Sequence, residues 1–155
     1  MEREPRSLLA DMRPRLVGIN HVALQVDDLA EAVRFYTELF QPTAVDTSEP
    51  DAAFLEFGDQ FLALFERGSR EEEPHFGLVV DDKPAARRAL EEAGVAILPG
   101  GRLDFRDPSG NRVQVVGYAD VQFTKTERIL KGMGLGELQK SDVALAELRA
   151  KDLAD

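Results

Sequence analysis

The only two histidines in this 155-residue chain stand at matching places in two copies of one short pattern. The first copy reads His21-Val22-Ala23-Leu24-Gln25-Val26-Asp27-Asp28, and the second reads His75-Phe76-Gly77-Leu78-Val79-Val80-Asp81-Asp82. Imidazole is the commonest metal ligand among side chains. Two equivalent strands related by a pseudo-twofold axis would bring both rings to one shared site. A single histidine on an apolar strand is usually a hydrogen-bonded structural residue. It is the equivalence of two that points to metal or ligand contact. Ala23 and Gln25 lie two and four residues past His21 on the same strand face, so both are expected to line the same cavity. Glu56 and Asp104 are matched by the repeat, through Leu55-Glu56-Phe57 and Leu103-Asp104-Phe105, and are the carboxylate candidates for a general base.

The elements that must position these residues follow the same repeat, whose period of 54 positions runs from 21 to 75. Leu16–Val26 reads as a strand rich in Val, Ile and Leu. Asp28-Leu29-Ala30-Glu31 matches a capping box, and the apolar spacing that follows predicts a helix over residues 29–40. Phe35 and Tyr36 on it are expected in the core. Thr43–Asp46, Ala52–Phe57 and Gln60–Phe65 are strand candidates, with Gly58-Asp59 as a tight turn. The second copy offers the strand His75–Val80 and a helix that starts after Asp82 and is stopped by Gly94. The strands Val95–Leu98, Gly101–Arg106 and Arg112–Tyr118 follow. The chain thus divides into an N-terminal extension (1–15), a first strand-helix-three-strand module (16–66), a linker (67–74), a second module (75–118) and a helical tail (119–155). Ser7 is expected to cap a short helix in the extension. The linker's Glu71-Glu72-Glu73 run reads as a solvated stretch. The tail is expected to pack on the outside of the sheet or against a second subunit.

Composition narrows the function classes. The content of 43% apolar and 31% charged residues fits an ordinary globular protein. A net charge of −10 repels phosphate backbones and excludes nucleic acid as a natural partner. The absence of cysteine removes disulfides, thiolate ligands and a cysteine nucleophile. No apolar run approaches the ~20 residues of a membrane span, and the charged N-terminus lacks a signal peptide's apolar stretch, so a cytoplasmic protein is expected. No phosphate-binding glycine loop and no Gly-x-Ser-x-Gly elbow is present.

The repeated order of elements, Asn20-His21-Val22-Ala23-Leu24, Phe35-Tyr36, and Phe105-Arg106-Asp107-Pro108-Ser109-Gly110-Asn111-Arg112 together resemble the vicinal oxygen chelate superfamily over residues 16–118. That group includes glyoxalase I, methylmalonyl-CoA epimerase, extradiol dioxygenases, fosfomycin-resistance enzymes and bleomycin-resistance proteins. The resemblance implies an α+β fold, with two βαβββ modules forming a curved eight-stranded mixed sheet, helices outside, and here a C-terminal helical extension. It implies metal ligands on the first and last strands of each module. These fall at His21, His75, Ala63 and Gln114. Ala63 offers no ligand and Gln114 offers an amide oxygen where the family usually has glutamate. A site without carboxylate should hold a divalent ion weakly or not at all, with zinc or nickel best suited to imidazole. The resemblance therefore implies a small-molecule-binding protein with metal-assisted lyase, isomerase, transferase or dioxygenase chemistry. The alternative is a metal-free protein that sequesters its ligand, as in the bleomycin-resistance branch. A homodimer, formed partly through the tail, is expected.

Overall fold

The computed structural model describes residues 13–70 and 72–155, so the short helix expected around Ser7 lies outside the described residues. In chain order the elements are β1 (Leu16–Val26), α1 (Leu29–Leu39), β2 (Ala44–Asp46), β3 (Ala52–Phe57), β4 (Gln60–Glu66), β5 (His75–Val80), α2 (Lys83–Glu92), β6 (Leu103–Arg106) and β7 (Arg112–Gly117). A 3-10 turn at Tyr118–Asp120 leads to α3 (Glu127–Gly132) and α4 (Asp142–Ala150). The helix starts are specified locally. Asp28, Asp82, Thr126 and Ser141 each accept a hydrogen bond from the backbone N–H three residues on. No helix among the described residues is long and apolar enough to cross a membrane.

The strands form one mixed sheet in the order β2-β3-β4-β1-β5-β7-β6. β1 runs antiparallel to β5 at the centre, and each also has a parallel neighbour, β4 and β7 respectively. This is the α+β architecture that the sequence pattern implies, with seven strands rather than eight. The missing strand is Val95–Leu98. It keeps one ladder-like bond, from the Leu98 N–H to the Asp104 carbonyl, before Pro99 and two glycines at positive φ turn the chain away. Proline has no N–H to extend such a ladder.

The sheet's two faces divide the work. On the outer face, α2 covers Val80, Leu103 and Val115. α1 packs over β3 and β4. Although amphipathic, α1 buries none of its residues, and Phe35 is 57% exposed. The expectation that Phe35 belongs to the core is therefore corrected. The inner face carries His21 and is small over one half, where Ala23, Ala52 and Ala63 lie among phenylalanines.

The tail also folds onto this inner face, not onto the outside of the sheet. Phe123, Leu130 and Leu135 pack with Val17, Val79 and Val116, closing one end of the cup. Gly18 permits this: a Cβ there would lie 2.5 Å from the Phe123 ring. The linker is likewise pinned, not merely solvated. Glu72 pairs with Arg102, and Glu73 pairs with Arg106 and Arg112.

Lys140 fastens the tail. Its ammonium donates to the carbonyls of Tyr118, Val121 and Phe123, and lies 3.5 Å above the Tyr118 ring centre. Burial pushes its pKa down to about 8, so it is still charged at neutral pH. Lys140→Met keeps the stem but removes the donor from three carbonyls. Loss of about 3 kcal/mol is expected, read as a lower urea midpoint at unchanged slope.

Candidate functional site

Strand register assembles the site. One row of facing residues crosses the sheet from β3 to β6: Glu56, Phe61, His21, Gly77, Gln114 and Asp104. The next row brings Phe54, Ala63, Ala23, His75, Arg112 and Arg106 into line. His21 and His75 thus lie one row apart on adjacent central strands. Their ring centres are 5.3 Å apart, edge to face.

Gly77 makes this possible. It sits directly across from His21, and a Cβ at position 77 would come within 2.3 Å of the imidazole and 2.1 Å of Asn20 Oδ1. The His21 ring occupies that space. It stacks on Phe61 at 4.7 Å and 3°. A register irregularity between Ile19 and His21 turns both Asn20 and His21 inward, and both are buried.

Hydrogen bonding fixes the protons. His21 Nδ1 lies 2.9 Å from Asn20 Oδ1, and His75 Nδ1 lies 2.9 Å from the Glu73 carbonyl. Both partners only accept, so each Nδ1 carries the proton and each Nε2 keeps its lone pair. Burial lowers the His21 pKa to about 4, helped by the charges of His75 and Arg102 and opposed by a hydrogen bond with Gln114. His21 is therefore a neutral imidazole at physiological pH.

Two joined cavities open on this face, of about 470 and 280 Å3, and they share His21, Phe54, Phe61 and Gln114. The larger is walled by the tail, through Phe123, Glu147 and Lys151, and has carboxylates at Asp46, Glu56, Asp59 and Asp120. The smaller has an alanine floor at Ala23, Ala52 and Ala63, with His75, Arg70 and Arg102 toward its polar end.

The structure thus gathers His21, His75, Gln114, Ala23 and Ala63 around one cup. Gln25 is spent elsewhere: its amide donates to the Glu72 carbonyl and accepts from Arg67. Glu56 borders the larger cavity and pairs with Lys151 at 2.9 Å. Asp104 is 1% exposed and held by Arg102 and Arg112 through one oxygen, while its Oδ1 has no partner. Register also corrects the matching of these two acids. Asp104 faces Gln114, but Glu56 faces Phe61, so the counterpart of Asp104 is Phe54. Sequence reasoning did not single out Asn20, Gly77 or Phe61. The glycine inside an otherwise apolar strand was the available signal for close approach.

Two outcomes test this geometry. Gly77→Ala should displace the His21 ring and cost about 1–3 kcal/mol by overpacking, measured by chemical denaturation together with a shift of the His21 imidazole signals. For pH, the unfolded chain takes up a proton near 6.5 that folded His21 refuses until about 4. Stability should therefore be complete above pH 6.5 and fall by about 3 kcal/mol as pH drops through that window. His21→Gln should flatten this slope in metal-free protein.

Residues 18–115 match the family described as glyoxalase/bleomycin resistance protein/dioxygenase superfamily. A metallothiol transferase FosB from Shouchella clausii is 30% identical over 115 residues, covering 63% of this chain and 78% of that one. The FosB of Bacillus licheniformis is 25% identical over 116 residues, covering 65% of this chain and 75% of the relative. Among solved structures, a catechol 2,3-dioxygenase shares the fold with a TM-score of 0.55 at 20% identity, over 70% of this chain and 41% of that one. Paired first-strand histidines, the strand order and this match agree: the chain belongs to the glyoxalase/bleomycin resistance protein/dioxygenase superfamily, the vicinal oxygen chelate group.

Proposed function

We propose that this protein binds an oxygen-bearing small molecule in its inner cup and acts on it with a weakly held divalent ion at His21, His75 and Gln114. The observation that carries this reading is the pair of buried imidazoles, their ring centres 5.3 Å apart, whose Nδ1 atoms are both held by acceptors, so that Nε2 is the ring atom each can offer to a metal once Gln114 turns from its hydrogen bond with His21 to the ion. Metal-ligating histidines are typically oriented by such a second bond. Gln114 supplies the third ligand through its amide oxygen. The donor set fits a divalent ion but lacks charge: among the described residues no group of three or more His, Cys, Asp or Glu is placed to hold a metal. Weak binding, with zinc or nickel favoured, follows.

A bound ion would supply Lewis acidity toward the ligand's oxygens. The chain's own residues do the rest. Phe54 and Phe61 provide apolar walls, and the alanine floor leaves room for an apolar group. The tail forms one wall of the larger cavity on its acidic side, through Phe123, Glu147 and Lys151. Two relatives are named metallothiol transferases, which favours group transfer to the ligand over dioxygenase chemistry. The missing carboxylate also disfavours dioxygenase chemistry, since the iron site needs one.

A second reading is metal-free sequestration. It draws on the same absence of carboxylate at Ala63 and Gln114, and on an acidic cavity wall that suits a cationic ligand. Calorimetry with zinc, nickel and manganese separates the two. Gln114→Glu should tighten metal binding at least tenfold, about 1.4 kcal/mol, by adding a charged oxygen ligand. Ala63→Glu should also tighten it, and His21→Ala should abolish it. If neither glutamate variant binds metal better than wild type, the sequestration reading stands in its place.

A further inference from the structure

One carboxylate oxygen beside the site has no partner. Asp104 is 1% exposed, and three nitrogens converge on its Oδ2: Arg102 Nη2 at 2.9 Å, Arg112 Nε at 2.9 Å and Arg112 Nη2 at 2.7 Å. Its Oδ1 is equally buried and accepts nothing. The guanidiniums balance the charge, but an ionised carboxylate has acceptor capacity on both oxygens. A buried acceptor is rarely left open, so a donor for it is to be sought among its neighbours.

The row that crosses the sheet supplies one. Asp104 pairs with Gln114 across β6 and β7, Gln114 pairs with Gly77 across β7 and β5, and Gly77 pairs with His21. Directly opposed residues have Cβ atoms about 5 Å apart, within reach of a glutamine amide. Position 77 has no side chain, so Gln114 has His21 on one flank and Asp104 on the other. An amide carries donors at one end and an acceptor at the other. Gln114 hydrogen-bonds His21, whose Nδ1 proton is held by Asn20. What the neutral ring offers Gln114 is therefore the Nε2 lone pair, and the amide meets it with N–H. The same side chain brings its oxygen to an ion on that Nε2 only by turning its NH2 away. The open acceptor on its other flank is Asp104 Oδ1.

We propose that Asp104 is a positioning residue: its Oδ1 accepts the Gln114 N–H and so sets the amide oxygen toward the ion, while Arg102 and Arg112 hold Oδ2. This rests on the reading that His21, His75 and Gln114 take a divalent ion. Asp104 touches neither ion nor ligand and acts through Gln114, not as the general base that its residue type suggests. A charged acceptor on the amide N–H is a strong partner and makes the amide oxygen more basic. A site with no charged ligand thus draws on a carboxylate one strand away. The amide exchanges His21 for Asp104 as the ion arrives, so the open oxygen gains its donor only in the loaded protein.

Zinc calorimetry on the full chain tests this, with wild type, Asp104→Asn, Gln114→Glu and the double variant as a cycle. Asp104→Asn keeps an oxygen for the guanidiniums but puts NH2 in place of Oδ1, so it should weaken zinc binding about 10–100-fold. Gln114→Glu removes the N–H that needs placing, so in that background Asp104→Asn should cause no loss. Equal weakening in both backgrounds, the mark of a merely structural role, overturns the proposal. So does a folded Asp104→Asn protein that binds zinc as wild type does. Circular dichroism shows whether the variants fold, and wild type alone supplies a second test if they do not. Along a zinc titration followed by NMR, the Gln114 side-chain amide and Asp104 carboxyl signals should move together with both imidazoles. Imidazoles that follow zinc while the Asp104 carboxyl stays still overturn this inference alone. If zinc binds neither wild type nor Gln114→Glu, the metal reading fails and this inference fails with it.

Discussion

The pairing of Gly77 with His21 across the β1–β5 ladder is the constraint on which the site depends. Antiparallel pairing at the sheet centre sets the two histidines one row apart, and the absent Cβ at position 77 gives one imidazole its volume. Phe61 fixes the plane of that ring from the neighbouring strand. Asn20 and the Glu73 carbonyl fix the protons. Only the Glu73 carbonyl comes from outside the sheet, from the linker that Arg106 and Arg112 hold in place. The side chains stand on the three central strands of a seven-stranded sheet, where backbone bonding on both edges leaves little freedom.

Around this centre, charge is organised by location. Glu72, Arg102, Asp104, Arg112, Glu73 and Arg106 form an alternating chain that ties the linker to β6 and β7. Acidic groups gather at the other end, where the tail meets the cup. The cup is therefore polarised, with guanidinium groups near His75 and carboxylates beyond His21. Lys140 holds the acidic wall in place by satisfying three carbonyls at once. The tail thus contributes to the cavity's shape as well as to stability, which explains why so much apolar surface follows the repeat.

Much of this was legible in the sequence, because it rests on short-range pattern. The 54-residue repeat, the caps at Asp28 and Asp82 and the parity of His21 with Ala23 all depend on residues near one another in the chain. Long-range facts were not legible. The third strands look alike as Leu55-Glu56-Phe57 and Leu103-Asp104-Phe105, yet their registers differ by two residues. A slip of two keeps a side chain on the same face, so alternation alone cannot detect it. Val95–Leu98 has strand composition, but Pro99 and two glycines cut its pairing short. The tail's destination was hidden for a similar reason: the cavity that receives Phe123 exists only because residue 18 is glycine. Helical amphipathicity showed that α1 has an apolar stripe, but not that the chain itself leaves it uncovered.

The central claim is that both imidazoles hold their proton on Nδ1 and offer Nε2 to one shared ion, Gln114 exchanging its hydrogen bond with His21 for that ion. With only two histidines in the chain, long-range proton–nitrogen NMR correlation of the imidazoles tests it directly. In metal-free protein at neutral pH, both rings should carry their proton on Nδ1. One equivalent of zinc should then move both Nε2 resonances together, along a single binding curve. A proton on Nε2 of either ring, or a response confined to one histidine, would contradict the account.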